Sequence, residues 1–242
     1  MVLLYEANPP KMDGGGVGAT GRFVERLRDV SDVCGGIHVT ENVLGMQRVS
    51  PILVGRRLRD AVPDISMTLT MRVRDKNSAD IDAFVSDAVD AGFSGMLVVA
   101  GDPAPNVPPS NQVPSGVVRR LLRNRLAPGL DLYLSIPAEP DYTAMATKLS
   151  ACPRGFITQV IQSPGQVEGM VTRLPKYDIL PIVLYPSPKN QKAAAFLGID
   201  MGAYSDEFGE FIRRIHDSTG NVLMTSPGDY AGLYEFLSEN RY

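Results

Sequence analysis

A chain of 242 residues with 44% hydrophobic and 21% charged side chains can bury one large core and has neither a disordered nor a fibrous composition. Its formal net charge of −3 excludes a broad electrostatic grip on nucleic acid or an anionic membrane surface, and the basic run Arg119, Arg120, Arg123 and Arg125 reads as a solvated helix face. The two cysteines, Cys34 and Cys152, have no metal-ligand spacing and read as buried thiols.

The opening segment MVLLYEANPPK has no basic leader or small-residue cleavage site, and no later apolar run is long enough to span a bilayer. A cytoplasmic protein with no membrane partner is expected.

In chain order, strand-like runs are expected at Val2–Glu6, Gly36–Thr40, Ile65–Val73, Gly95–Ala100, Asp131–Ile136, Gly155–Ile161, Ile179–Tyr185 and Asn221–Thr225. Each is short and continuously apolar, the pattern of parallel strands covered by helices. Helical periodicity fills the gaps, over Gly21–Val30, Pro51–Val62, Ala79–Ala91, Ser115–Leu126, Tyr142–Ala151, Gln166–Leu174, Asp206–Asp217 and Tyr230–Glu239. Ser78 suits an N-cap, Gly92 a helix stop and Pro164 a first helical position. The Pro-rich stretch 186–204 reads as an elaborated seventh loop. Eight regular βα units exceed the five or six strands usual in a doubly wound sheet, so the expectation is one domain, residues 1–242, folded as a single (β/α)8 barrel.

A barrel of this kind does its chemistry at the C-terminal ends of its strands. That rule selects Glu6, Asn8, Thr40, Asn42, Thr70, Arg72, Arg74, Asp102, Glu139, Gln159, Gln162, Tyr185 and Thr225. A carboxyl at Glu6, walled by apolar residues, would have a raised pKa and could deliver a proton near neutral pH; a capping role is the alternative. Asp102, in VVAGDPAP, could accept paired hydrogen bonds from an amidine-like edge or simply form a turn. Gln159, inside the apolar run GFITQVIQ, must face a ligand or find partners in the core. The Gly-rich run Asp13–Gly21 matches neither a P-loop nor a dinucleotide fingerprint and reads as a flexible first loop. His38, mid-strand, and His216, on a helix, have no partner spacing and read as ordinary core and surface residues, so no metal site is expected. No G-x-S-x-G elbow occurs.

Several segments, in the same order, resemble the methylenetetrahydrofolate reductase family. LLYEANPPK is similar to that family's first strand and its E-x-x-P-P motif. HVTENVLGMQRVSP is similar to its T-D-N-P-x-G-x-x-R-M-S segment, and TLTMRVRDKN to T-C-R-D-R-N. VVAGDPAP is similar to T-G-D-P-P, and GFITQVIQ to the sixth-strand I-T-Q pattern. The likeness runs to about residue 186 and weakens beyond it. It implies hydride transfer from a flavin, itself reduced by NAD(P)H, to the methylene carbon of a tetrahydrofolate-type pterin in one-carbon metabolism.

On this resemblance Glu6 is the proton donor that opens the bridged ring, Asp102 grips the pterin and stabilises the cation, and Gln159 and Tyr185 hold the substrate. Thr40, Thr68, Ala100, Gly101, Asp102 and Ile136 fall on the FAD side. Departures cluster there. Thr68 stands where many members have His, Ala100 stands where Arg or Thr is common, and Ile136-Pro137-Ala138-Glu139-Pro140 lacks the family's Tyr and His. The alternatives are hydride taken directly from a nicotinamide or a deazaflavin, a pterin-dependent methyltransferase subunit, and a pterin binder without redox chemistry. The resemblance also allows a homo-oligomer.

Overall fold

The computed structural model describes residues 2–12, 16–103 and 109–240. Asp13, Gly14 and Gly15 of the Gly-rich run, and the end of the VVAGDPAP segment, lie outside them. Eight parallel strands close into one barrel in sequence order. They are β1 (Val2–Ala7), β2 (Gly36–Val39), β3 (Ser66–Arg72), β4 (Gly95–Val99), β5 (Asp131–Ile136), β6 (Gly155–Val160), β7 (Asp178–Leu184) and β8 (Asn221–Thr225). The helices are α1 (Gly16–Ser31), α2 (Pro51–Ala61), α3 (Ser78–Asp90), α4 (Pro114–Arg123), α5 (Ala146–Leu149), α6 (Pro164–Arg173), α7 (Gln191–Leu197), α8 (Phe208–Thr219) and α9 (Tyr230–Glu239). The single (β/α)8 barrel expected from the alternation is the observed fold, and β1 closes it by pairing with β8 from Val2↔Asn221 to Glu6↔Thr225. Among the described residues no helix is long and apolar enough to cross a membrane.

The continuous apolar runs make sense once both strand faces are seen. Because side chains alternate across a strand, Leu3, Tyr5 and Ala7 of β1, Ile37 and Val39 of β2, and Met67, Leu69 and Met71 of β3 face outward into the large core beneath the helices. The inward positions pack a second, smaller core of Leu97, Ile157, Leu180 and Leu223, joined by Leu4, Val99, Tyr133 and Ile182. The barrel centre is therefore filled rather than open.

Helix boundaries follow local chemistry, mostly with small shifts from the sequence reading. However, α1 begins at Gly16, so Gly16–Gly21 of the run expected to be a flexible loop is helical. The helix expected over Tyr142–Ala151 is a 3₁₀ turn, Tyr142–Met145, followed by the short α5. The cap of α3 is Asn77, one residue before Ser78. Its Oδ1 accepts from Ala79 N at 2.8 Å and Asp80 N at 3.0 Å, while Asp80 Oδ2 takes the Asn77 N–H at 3.0 Å, a capping box that an Asn completes as well as a Ser. Gly92, at φ 77°, ends the same helix as expected. In α2 the buried face is Ile52, Val54 and Leu58, and Leu53 points to solvent. The stretch 186–204 is an elaborated loop, carrying α7 between two short 3₁₀ turns. Cys34 is buried as expected, whereas Cys152 is exposed, at a left-handed turn with φ 53°.

Candidate functional site at the C-terminal mouth of the barrel

One side of the lumen is polar. The inward positions of four adjacent strands, β8, β1, β2 and β3, carry Thr225, Glu6, His38, Thr68 and Thr70. The registers Glu6↔Thr225, Glu6↔His38 and His38↔Thr68 make them neighbours on one wall. Thr225 Oγ1 donates to Glu6 Oε1 at 2.7 Å. Glu6 is half-buried as a residue, but its carboxyl is enclosed by protein. Burial raises its pKa above the usual carboxylate range, with the Thr225 hydrogen bond pulling the other way. A carboxyl whose pKa is raised in this way holds its proton more firmly than a solvated one and is suited to deliver it to something that enters the mouth.

His38 is a feature the sequence reading treated as ordinary core. It is buried, but in the lumen, where Nδ1 lies 2.8 Å from Thr68 Oγ1 and Nε2 lies 2.8 Å from Thr70 Oγ1. Hydroxyls serve as donor or acceptor, so both nitrogens of a neutral imidazole are satisfied. Burial lowers its pKa from the ordinary 6.5 to about 4. The unfolded chain therefore takes up a proton that the folded chain refuses. The stabilisation is present above pH 6.5 and is lost as pH falls towards 4, by about 3 kcal/mol in all. Urea titrations across that window are expected to show wild type losing stability relative to His38→Gln as the pH falls. Equal slopes in the two proteins would refute the assignment.

Above this wall the loops are tied together by side chains. Thr40 Oγ1 donates to Asn8 Oδ1 at 2.8 Å. Arg48 reaches from the β2 loop to the β1 loop, its Nη1 donating to Pro9 O at 2.6 Å, while its own N–H donates to Asn42 Oδ1 at 2.8 Å. Asn42, at φ 42°, occupies the left-handed region that Asn tolerates better than most residues. Glu41 accepts from Arg72 N and from Lys76 Nζ, both at 2.6 Å. The polar residues of HVTEN and RVRDKN thus serve in large part as struts between neighbouring loops, a role their strand-end positions could not distinguish from ligand contact.

The residues singled out from sequence fall into two sets. Glu6 is in the lumen wall, and Gln159 and Asp102 lie at the same C-terminal end of the barrel. Gln159 is exposed although it belongs to β6, because the β6–β7 register jumps between Ile157↔Leu180 and Val160↔Ile182. That bulge puts two residues of β6 opposite one of β7. It turns Thr158 Oγ1 onto Ile182 N at 3.1 Å and leaves the Gln159 side chain open to solvent rather than buried among core partners. Asp102 is exposed, and its carbonyl is held by Arg72 Nη2 at 2.7 Å.

Tyr185 stands apart from these. Its ring packs against Phe208 at 5.7 Å and Phe236 at 5.8 Å, in the layer between the barrel and α8 and α9. On the flavin side, the hydroxyl of Thr40 is bonded to Asn8 and that of Thr68 to His38. Ile136 faces the outer core, Ala100 is exposed with its carbonyl on Arg74 N at 3.0 Å, and Gly101 turns at φ 87°. These side chains do not form a set of donors converging on an isoalloxazine, and as they stand they do not fit a flavin. No group of three or more His, Cys, Asp or Glu able to hold a metal occurs among the described residues.

Fold and site together define a (β/α)8 barrel with a polar mouth. No family model matches the chain, and no curated protein does. Among solved structures the chain is similar to a protein from Clostridium thermocellum that binds two copies of 5-methyl-5,6,7,8-tetrahydrofolic acid, with a TM-score of 0.64, 13% identity, and coverage of 99% of this chain and 94% of that one. It is also similar to a protein from Burkholderia cenocepacia proposed to be a phosphonomutase, with a TM-score of 0.58, 11% identity, and coverage of 98% and 92%. At these identities the likeness is one of fold.

Proposed function

We propose that the mouth of the barrel binds a reduced pterin carrying a one-carbon unit, and that the chain reduces a bridging methylene group there to methyl, with Glu6 as the acid. The observation that carries this reading is the enclosed Glu6 carboxyl, hydrogen-bonded by Thr225 and with its pKa raised by burial, beneath a mouth that also presents Gln159 and Asp102. The fold likeness to a methyltetrahydrofolate-binding barrel and the ordered motifs from LLYEANPPK to GFITQVIQ support the same ligand class.

In this reading Glu6 gives its proton to the bridging nitrogen as the carbon–nitrogen bond breaks. The lone pair of the other bridging nitrogen then forms an iminium, and hydride adds to its carbon. Asp102 accepts from the amino-pyrimidinone edge of the pterin, and the amide of Gln159 orients the ring. A dissociable donor, a nicotinamide nucleotide or a deazaflavin, supplies the hydride. No step here depends on a bound flavin.

The test combines calorimetric titration with 5-methyltetrahydrofolate and an assay of nicotinamide oxidation in the presence of 5,10-methylenetetrahydrofolate. Binding together with substrate-dependent oxidation is the expected result. Binding without oxidation by nicotinamide or reduced deazaflavin would replace the reductase with a pterin-binding or methyltransferase subunit. Absence of binding would overturn the ligand class. A colourless protein that gains no flavin absorbance when FAD is added is also expected, from the poor fit of Thr40, Thr68 and Ile136.

A further inference from the structure

Arg72 is the largest fully buried side chain of the described residues. It ends β3 on the inward face, in phase with Thr68 and Thr70, and its guanidinium fans out to the two neighbouring loops. Nη1 donates to Asn42 O at 2.6 Å and Nη2 to Asp102 O at 2.7 Å. Glu41 receives its backbone N–H at 2.6 Å, and Asp75 lies 3.7 Å from Nη2. Burying a guanidinium is costly unless its donors and its charge are matched. Here two of the donors are spent on loop carbonyls rather than on the strand ladder.

The turn after β4 is shaped to receive it. Gly101 sits at φ 87°, and a Cβ there would come within 2.7 Å of Arg72 Nε and 3.0 Å of Arg72 Cγ. A side chain at position 101 would therefore strain the backbone and also displace the arginine stem. Residue 102 is then constrained three ways: by the left-handed turn before it, by the carbonyl bond to Arg72, and by Pro103 after it, which disfavours the helical region. With its backbone set, the direction of the Asp102 Cα–Cβ bond is set as well, and the exposed carboxylate is left with the staggered rotamers that this backbone allows.

We propose that Arg72 is the positioning residue of the pterin-gripping edge, aiming the Asp102 carboxylate by clamping the Asn42 and Asp102 carbonyls to the end of β3. This rests on the reading of Asp102 as a pterin contact. Arg72 touches no ligand in this account; it acts through Asp102.

The experiment is a double-mutant cycle read by calorimetric binding of 5-methyltetrahydrofolate to the full chain, with melting temperature measured alongside. Asp102→Asn is expected to weaken binding about tenfold, the scale of one lost charge-assisted hydrogen bond. Arg72→Met should weaken it by a similar factor. The double variant should be no weaker than either single one, because the carboxylate is already misdirected. Arg72→Lys keeps the charge and one of the two carbonyl bonds, so it should fall between wild type and Arg72→Met. Gly101→Ala should reproduce the loss while leaving the guanidinium in the sequence, which keeps the test open if Arg72→Met does not fold. Losses that multiply in the double variant, or a lower melting temperature with unchanged affinity, would reduce Arg72 to a structural strut and overturn the proposal. A wild-type chain that binds no pterin, or an Asp102→Asn variant that binds normally, would remove the underlying reading and this inference with it.

Discussion

Glu6→Gln is expected to lower turnover of a methylene-pterin by about 10²–10⁴-fold, the usual contribution of a positioned general acid, while leaving affinity for the methyl product within a few-fold of wild type. Gln is nearly isosteric and its Oε1 can still accept from Thr225, so the wall that now holds Glu6 at 2.7 Å keeps its shape. What disappears is the proton. A kcat loss with little change in product binding marks an interaction made in the transition state, whereas a chain that only binds pterin would have no turnover to lose.

The same substitution has a stability signature of known sign. Because burial raises the Glu6 carboxyl, the folded chain favours the protonated form. The stability tied to that form is fully present below the ordinary value of 4.5 and is lost as pH rises through the raised one. Gln carries no such dependence. Melting curves between about pH 5 and 9 should therefore show Glu6→Gln gaining on wild type as the pH rises, opposite to the acid-side loss expected from His38. A difference that does not vary with pH would mean that the carboxyl is not held protonated by its surroundings.

Gly155→Ala is expected to cost about 3 kcal/mol or more, at the upper end for overpacking. A Cβ at this position would lie 2.0 Å from the carbonyl oxygen of Asp178 and 2.8 Å from its carbonyl carbon. The obstacle is backbone in the paired strand, with no flexible side chain to swing aside. Relief requires β6 and β7 to move apart at the start of their ladder, where Gly155 pairs with Asp178. Since the bulge that exposes Gln159 lies a few residues further along the same pair, pterin affinity should fall along with the melting midpoint in urea. A variant as stable as wild type would show that the two strands have more room than this packing allows.

Much of the barrel was legible in the chain because the signals involved are local. Strand-length apolar runs alternating with helical periodicity require only neighbours in sequence, and the eight units at Val2–Glu6 through Asn221–Thr225 correspond to the eight observed strands. Glu6 was legible as a strand-end carboxyl for the same reason. Gln159 was legible as anomalous, since an amide in an apolar run demands an explanation, but the bulge that exposes it depends on β7 and left no trace in GFITQVIQ. Tyr185 read as a rim residue from its place at the end of β7. Its ring instead joins Phe208 and Phe236, because the direction a side chain takes just past a strand is set by which helices lie over it.

Sequence by itself determined the element order, the closed-barrel class and the presence of carboxyl, amide and hydroxyl groups at the C-terminal rim. Tertiary structure alone decided which of those groups share a wall and which are struts. His38 looked like a core residue because nothing within ten positions marks its partners. Thr68 and Thr70 lie about thirty residues away, brought alongside by the β2–β3 register. Arg72 looked like one more cation at the mouth until Gly101 and Asn42 were seen to close around it. The physical reason is the same in each case. Hydrophobic periodicity is encoded residue by residue along the chain, whereas pKa, hydrogen-bond partnership and side-chain direction depend on atoms that only the closure of the barrel brings within a few ångströms.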